Sequence, residues 1–220
     1  EVVFGTWDDE RLGEIRVRTL KRGTERVLTS SPGHYVDPVF SPNGDAVVYR
    51  RVSGGGTRSR LWSDKLGIYV VGSDGEGRRR LTRGGAQPHF GADPERLFFV
   101  TQSYKNGEPS TTLKSIDLDG THERAHLSST WASDFRVSPD GRWVAFRERF
   151  HVYIMPMPAT GRVTKISADT KAMPVARVTA NAGRDLTWSA DSPALQWMLG
   201  PELYTRTLTD SFAFLADAKP

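Results

Sequence analysis

Two short runs in this chain hold residue types able to do chemistry. His122-Glu123-Arg124-Ala125-His126 has the H-E-x-x-H spacing. In that pattern two imidazoles bind one zinc ion and the glutamate acts as general base. The chemistry needs a helix, where residues four apart share a face about 6 Å from each other. Here the run follows an Asp119-Gly120 turn and reads as the fourth strand of a small sheet. Residues four apart on a strand lie about 13 Å from each other. Two ligands each about 2 Å from one zinc ion cannot be that far apart. The expectation is a strand, with no metal and no cofactor.

The run just before it, Asp117-Leu118-Asp119-Gly120-Thr121, follows an apolar strand. It resembles the aspartyl-nucleophile motif of haloacid-dehalogenase-type phosphatases. That resemblance implies Asp117 as nucleophile and Asp119 as acid/base, in a fold with helices between parallel strands. No segment here shows helical periodicity, and the same slot holds VGSDGEG (71–77) and MPATGRV (157–163) in sister copies. A slot that accepts any turn-forming sequence is a hairpin turn.

The glycine runs Gly72–Gly77 and Gly54-Gly55-Gly56 precede no helix start, so neither has the amide array of a phosphate cradle. The first is expected to be a hairpin turn and the second part of a mobile loop, Ser53–Ser63. Arg78-Arg79-Arg80 reads as a solvated outer strand, whose charges discourage edge pairing. There is no G-x-S-x-G. With Cys 0 there is no thiol nucleophile, no disulfide and no Cys-ligated metal. His34, His89 and His151 are scattered singles. The candidate binding residues are His34, Asp37, His89, Trp131, Asp134 and Asp185, near the starts of innermost strands, where a polar channel mouth would form.

The elements that position them come from internal repeats. HYVDPVFSPNGDAVVYR (34–50), AQPHFGADPERLFFV (86–100), ASDFRVSPDGRWVAFR (132–147) and GRDLTWSADSPALQWML (183–199) share one pattern. Each runs from an apolar residue through Ser or Gly into a Pro/Asp/Asn/Gly turn and then a short apolar strand. The anchors Ser41, Gly91, Ser138 and Ser189 are 50, 47 and 51 residues apart. Between them, segments 15–29, 68–82, 113–128 and 152–167 each read as strand, Gly-containing turn and strand, a β-hairpin signal. Four short strands every 40–50 residues or so is the signature of a propeller blade. The fold expected is all-β, a β-propeller of four-stranded antiparallel blades. One such domain covers 1–220, in units of about 1–33, 34–85, 86–129, 130–182 and 183–220.

These repeats resemble those of TolB-like β-propellers. FSPNG (40–44), FRVSPDGRWVAF (135–146) and LTWSADS (186–192) carry the likeness, with FGADP (90–94) a degenerate copy. The C-terminal WSADSPALQWMLGPELYTRTLTDSFAFLADAKP is similar to the end of the amino-terminal propeller in large bacterial proteins that continue into a metal-dependent amidohydrolase domain. The resemblance implies a non-catalytic, exported or periplasmic interaction domain beside a catalytic one. The alternatives are the propeller of a prolyl-oligopeptidase-type serine peptidase and a free-standing periplasmic binding protein. The partner expected is another protein, or the chain's own further blades and catalytic domain.

Composition bounds the rest. A chain of 220 residues with 37% hydrophobic and 25% charged residues can bury a core. A net charge of +4 is too small an excess to argue for nucleic acid. No run approaches the roughly 18 apolar residues of a membrane span. Residues 1–29 supply later strands of one blade and 183–209 the early strands of another. These could combine into one blade of a four-bladed ring, but an incomplete ring of four to five blades is the favoured expectation. Such a ring would expose two apolar blade faces and self-associate through open edges.

Overall fold

The computed structural model describes residues 1–54, 64–105, 107–190 and 194–215. The protein is all-β, with its strands in five small sheets of three to five strands. Sheet 1 holds β1 (Val2–Thr6), β2 (Glu14–Arg18) and β3 (Glu25–Val27). Sheet 2 runs β4 (His34–Phe40), β5 (Ala46–Val52), β6 (Gly67–Gly72) and β7 (Arg79–Thr82). Sheet 3 runs β8 (Ala86–Phe90), β9 (Arg96–Lys105), β10 (Glu108–Asp117) and β11 (Arg124–Ser129), with β15 (Thr164–Lys165) added beyond β11. Sheet 4 holds β12 (Ala132–Val137), β13 (Trp143–Glu148), β14 (His151–Pro156) and β16 (Ala176–Arg177). Sheet 5 holds β17 (Arg184–Trp188), β18 (Ala194–Leu199) and β19 (Glu202–Thr207). The strands of residues 1–29 and those of 183–209 thus form separate sheets. Most of the expected 53–63 loop, and the DSP of 191–193, lie outside the described residues.

The chain divides into two compact units. The first is Glu1–Phe90, Pro94–Phe99 and Ile116–Glu123; the second is Gly91–Asp93, Val100–Ser115 and the described residues from Arg124 onward. In the first unit, Ile15, Val17 and Leu28 of sheet 1 pack on Tyr35, Val47, Tyr49 and Val71 of sheet 2. The other face of sheet 2 puts Val48, Ile68 and Val70 against Leu97, Phe99, Ile116 and Leu118. Adjacent strand residues point to opposite faces, so Val47-Val48-Tyr49 serves two cores at once. In the second unit Trp143, Ala145, Val152 and Ile154 of sheet 4 meet Leu186, Leu195 and Trp197 of sheet 5, with Leu208 and Phe212 closing the cluster. One blade cannot bury both of its faces alone; stacking does it.

The repeated turn is closed by a buried serine. Ser138 N–H donates to the Trp143 carbonyl at 2.9 Å, and Trp143 N–H donates to Ser138 Oγ at 2.9 Å. The hydroxyl itself donates to Asp140 Oδ1 at 2.5 Å. Gly141 sits at φ 70°, a left-handed conformation in which a Cβ is strained. The copy at Ser41 repeats this: Ala46 N–H donates to Ser41 Oγ at 3.0 Å, and the hydroxyl donates to Asn43 Oδ1 at 2.6 Å. The outer corners have their own hydroxyl. In sheet 1, Ile15 N–H donates to Thr29 Oγ1 at 3.2 Å while Leu28 N–H donates to the Ile15 carbonyl at 2.8 Å. In sheet 4, Val152 N–H donates to Thr179 Oγ1 at 3.0 Å while Val178 N–H donates to the Val152 carbonyl at 2.9 Å.

That second pair corrects one expectation. The segment 152–167 is not a hairpin. β14 ends on Pro156 and Pro158 follows it, and neither has an N–H to donate to a ladder. Thr164–Lys165 then pairs parallel with Leu127–Ser128 of sheet 3, and Ala176–Arg177 takes the outer place in sheet 4. The face of sheet 1 opposite its core is mixed: the exposed Val2 and Val27, with Phe4, stand among Glu14, Arg16, Arg18 and Glu25, which form Arg16–Glu14 and Arg16–Glu25 pairs at 2.8 and 3.3 Å.

Ser138→Ala leaves the Trp143 N–H without its side-chain acceptor in a buried turn. It should lower unfolding stability by about 1–3 kcal/mol, read by urea denaturation, whereas Ser30→Ala at an exposed position should change little.

Candidate binding site

The sequence candidates fall in both units. In the first unit, β1 ends and β4 begins beside an open cleft of about 380 Å³, lined by Gly5, Thr6, Trp7 and His34 to Pro38. His34 and Asp37 therefore share one wall. The His34 ring packs edge-on against Trp7 with centroids 5.2 Å apart. Its Nδ1 lies 2.9 Å from the Ser53 carbonyl, which can only accept, so Nδ1 is the donor of that bond. Asp37 Oδ2 accepts from Arg50 Nη1 at 2.6 Å. Trp7 is 48% exposed, with its indole N–H donated to Asp9 Oδ1 at 2.8 Å. Sequence reasoning missed Trp7, which belongs to no repeat copy. The available signal was a tryptophan opening an acidic run, Trp7-Asp8-Asp9-Glu10, just after an apolar strand. His89, also in this unit, does not line the cleft: it is buried, its ring stacked 5.8 Å from Phe98.

In the second unit, Trp131 is 55% exposed, with the Arg149 guanidinium 5.6 Å from its ring centroid. Such a cation–π contact leaves the other ring face open. Asp134 is buried, and its Oδ1 lies 3.3 Å from Arg136 Nη1 without hydrogen-bonding geometry. Burial pushes its carboxyl above the usual value of 3.8, and the nearby charge of Asp185 adds to this; Arg136 and Arg147 pull the other way. Asp185 itself is exposed, beside Arg184 at 3.6 Å.

Asp37, Gln87, Asp134 and Asp185 each stand four residues before a repeat anchor. Asp37, Gln87 and Asp185 have left-handed φ of 53°, 55° and 55°. The β4, β12 and β17 ladders each shift register at this place. Aspartate tolerates this backbone better than most residues, which is one physical reason for its recurrence.

The two catalytic-looking runs are held by turn and strand. Asp117 ends β10, Asp119 Oδ1 accepts from Thr121 N–H at 2.8 Å and Thr121 Oγ1 at 2.7 Å, and the turn closes from Gly120 N–H to the Asp117 carbonyl at 2.8 Å. These bonds hold the Asp119 carboxyl below its usual range. His122 stands outside β11, at φ 52°, with Nδ1 2.9 Å from Asp117 Oδ2. His126, within β11, has Nε2 2.7 Å from Ser115 Oγ. The two imidazoles thus serve different partners. The Gly72–Gly77 run is a hairpin turn, with Gly72 N–H donating to the Glu76 carbonyl at 2.8 Å. Arg79 is spent on the Leu118 carbonyl, with Nε at 2.7 Å. Among the described residues no group of three or more His, Asp or Glu is gathered as a metal site, and no helix is long and apolar enough to cross a membrane.

No protein-family profile matches the chain. It is 33% identical over 114 residues to the Tol-Pal system protein TolB of Gluconobacter oxydans, a match covering 49% of this chain and 23% of that one. The crystal structure of TolB from Acinetobacter baumannii superposes with a TM-score of 0.65 at 18% identity, over 93% of this chain and 48% of TolB. The acylaminoacyl peptidase of Pyrococcus horikoshii superposes with a TM-score of 0.55 at 11% identity, over 92% of this chain and 35% of that one. The chain spans about half the length of the TolB structure and less of the other two. The fold is that of a TolB-like β-propeller.

For Asp134 the sign of the pH effect follows from its raised pKa. Its contribution to stability is fully present below the unfolded value of 3.8 and is lost as pH rises above it. Asp134→Asn should therefore resist urea better than the parent at about pH 7, the difference closing at about pH 3. A difference independent of pH would refute the assignment.

Proposed function

We propose that this TolB-like β-propeller chain is a binding unit, not a catalytic one, and that it contacts protein through the Trp7–His34–Asp37 cleft. The observation that carries this is the cleft itself: an exposed indole edge-on to an imidazole, beside a carboxylate. Exposed aromatics set among polar groups are the side chains most often at the centre of protein contacts. The residues that looked catalytic support the same reading, because Asp119, His122 and His126 are engaged in turn and strand contacts. His34, Asp37, His89, Trp131, Asp134 and Asp185 remain the binding candidates, with His34 and Asp37 the pair that the cleft unites.

On this reading the chain is one partial propeller domain of an exported or periplasmic protein. The likeness of its C-terminal segment to amidohydrolase-linked propellers supports reading it as accessory to a metal-dependent amidohydrolase domain, with blade–blade self-association through sheet edges. A second reading, a free-standing periplasmic binding propeller, is favoured by the 33% identity to a Tol-Pal system protein.

Sequencing the gene on both sides of the segment separates them. An H-x-H pair after an early strand of a downstream barrel is expected. A G-x-S-x-G instead would substitute a peptidase parent, and a stop codon the free-standing propeller. For the last case surface plasmon resonance against purified Pal is the direct assay. Trp7→Ala should then weaken binding by tenfold or more, about 1.4 kcal/mol, without changing thermal unfolding. Undiminished binding in that variant would move the contact away from the cleft.

A further inference from the structure

The second unit holds a larger cavity, about 650 Å³, that none of the repeat motifs explains. Its wall is one face of sheet 3. On β10 the residues Glu108, Ser110 and Thr112 alternate onto the same face. Thr112 is paired with Ser128 on β11, and Ser128 with Lys165 on β15. Ser103 of β9 completes the wall. Neighbouring strands stand about 4.8 Å apart, so Thr112, Ser128 and Lys165 form a row about 10 Å long across the sheet. Glu108 lies four residues along β10 from Thr112, about 13 Å away.

Two features set this face apart. The sheet faces that pack blade on blade present Val, Ile, Leu and aromatic side chains. This one presents mostly hydroxyls, with the Lys165 ammonium, the Glu108 carboxylate and Pro109 among them. Among the described residues, moreover, the side chains of Ser103, Ser110, Thr112, Ser128 and Lys165 hydrogen-bond to no protein group, unlike the engaged hydroxyls of Ser138 and Thr179. Hydroxyls donate and accept, and an ammonium only donates. Concave sites that place such groups in convergence are ligand sites.

We infer that this cavity binds an acidic saccharide, its carboxylate on Lys165 and its ring hydroxyls on Ser110, Thr112 and Ser128. A sugar hydroxyl is the ligand group that matches a row of groups able both to give and to take hydrogen bonds. The ammonium of Lys165 at one end and the carboxylate of Glu108 at the other orient the saccharide. An anionic sugar unit sits at the Lys165 end, and a neutral, donor-rich unit sits toward Glu108. The volume holds about two sugar rings, within the usual range for small-molecule sites.

The test is calorimetric titration of the whole chain with a uronic-acid disaccharide, a neutral disaccharide of the same linkage and inorganic phosphate. Saturable binding of the acidic sugar is expected, with the neutral one weaker by about fivefold or more. Lys165→Gln should abolish that preference. Thr112→Val, which keeps shape and removes the hydroxyl, should weaken both sugars by about fivefold, and Thr112→Ser should restore them. Thermal unfolding of each variant separates lost binding from lost folding. No saturable binding of either disaccharide, equal affinity for both in the parent chain, binding of phosphate alone, or affinity unchanged in Thr112→Val would each overturn the assignment.

Discussion

Sheets 1, 2 and 4 are pinned at their corners by buried hydroxyls, and the stacking built on them depends on those pins. A sheet of three or four short strands ends in backbone N–H groups that have no ladder partner, and in a stacked blade those groups are shut away from water. An unpaired buried N–H costs about 1–3 kcal/mol. Ser138 and Ser41 remove that cost at the turn between the first two strands, and Thr29 and Thr179 remove it at the outermost corner. The side chains doing this are small enough to lie under the neighbouring blade. A glutamine could bring an acceptor to the same donor but would hold the blades apart. The apolar strands between the pins then meet face to face, as Val47 and Val48 do with two separate cores.

This explains why so much of the fold was legible. The pins are repeated residue types at repeated places, so Ser-Pro-Asn-Gly and Ser-Pro-Asp-Gly report the geometry of the turn directly. Where the pin was misidentified, the reading failed. The segment Arg162–Ser167 has the look of an outer strand, because it follows a Gly turn and ends in an apolar residue and a serine. The hydroxyl that actually caps Val152 is Thr179, in Arg177-Val178-Thr179, which matches Arg26-Val27-Leu28-Thr29 more closely than Lys165-Ile166-Ser167 does. Two prolines between Met155 and Ala159 were the sign that the chain leaves the sheet there.

The candidate site was legible only in part, for a different reason. Aspartates four residues before each anchor invite a functional reading. Their backbone supplies a conformational one as well, since Asp37 and Asp185 share the left-handed φ of Gln87, a residue with no charge at all. A recurrent residue in a repeat protein answers first to the recurrent geometry. A residue that breaks the repeat is freer to serve a ligand, and Trp7, Trp131 and Lys165 are of that kind. Of these only Trp131, beside the start of the third copy, was visible from the repeats; Trp7 and Lys165 lie away from the repeated turn.

The same residue types therefore carry opposite meanings, and hydrogen-bond accounting separates them. Serine and threonine are common in these strands, and their presence alone says nothing. Ser138 and Thr179 are buried and spend their hydroxyls on backbone amides that would otherwise be orphaned. Ser110, Thr112 and Ser128 face a cavity. The polar face they form lacks the apolar contact that joins sheets 1 and 2, sheets 2 and 3, and sheets 4 and 5. A chain that holds its blades together by burying Val, Leu and Trp has no structural use for such a face, so its chemistry has to be directed outward.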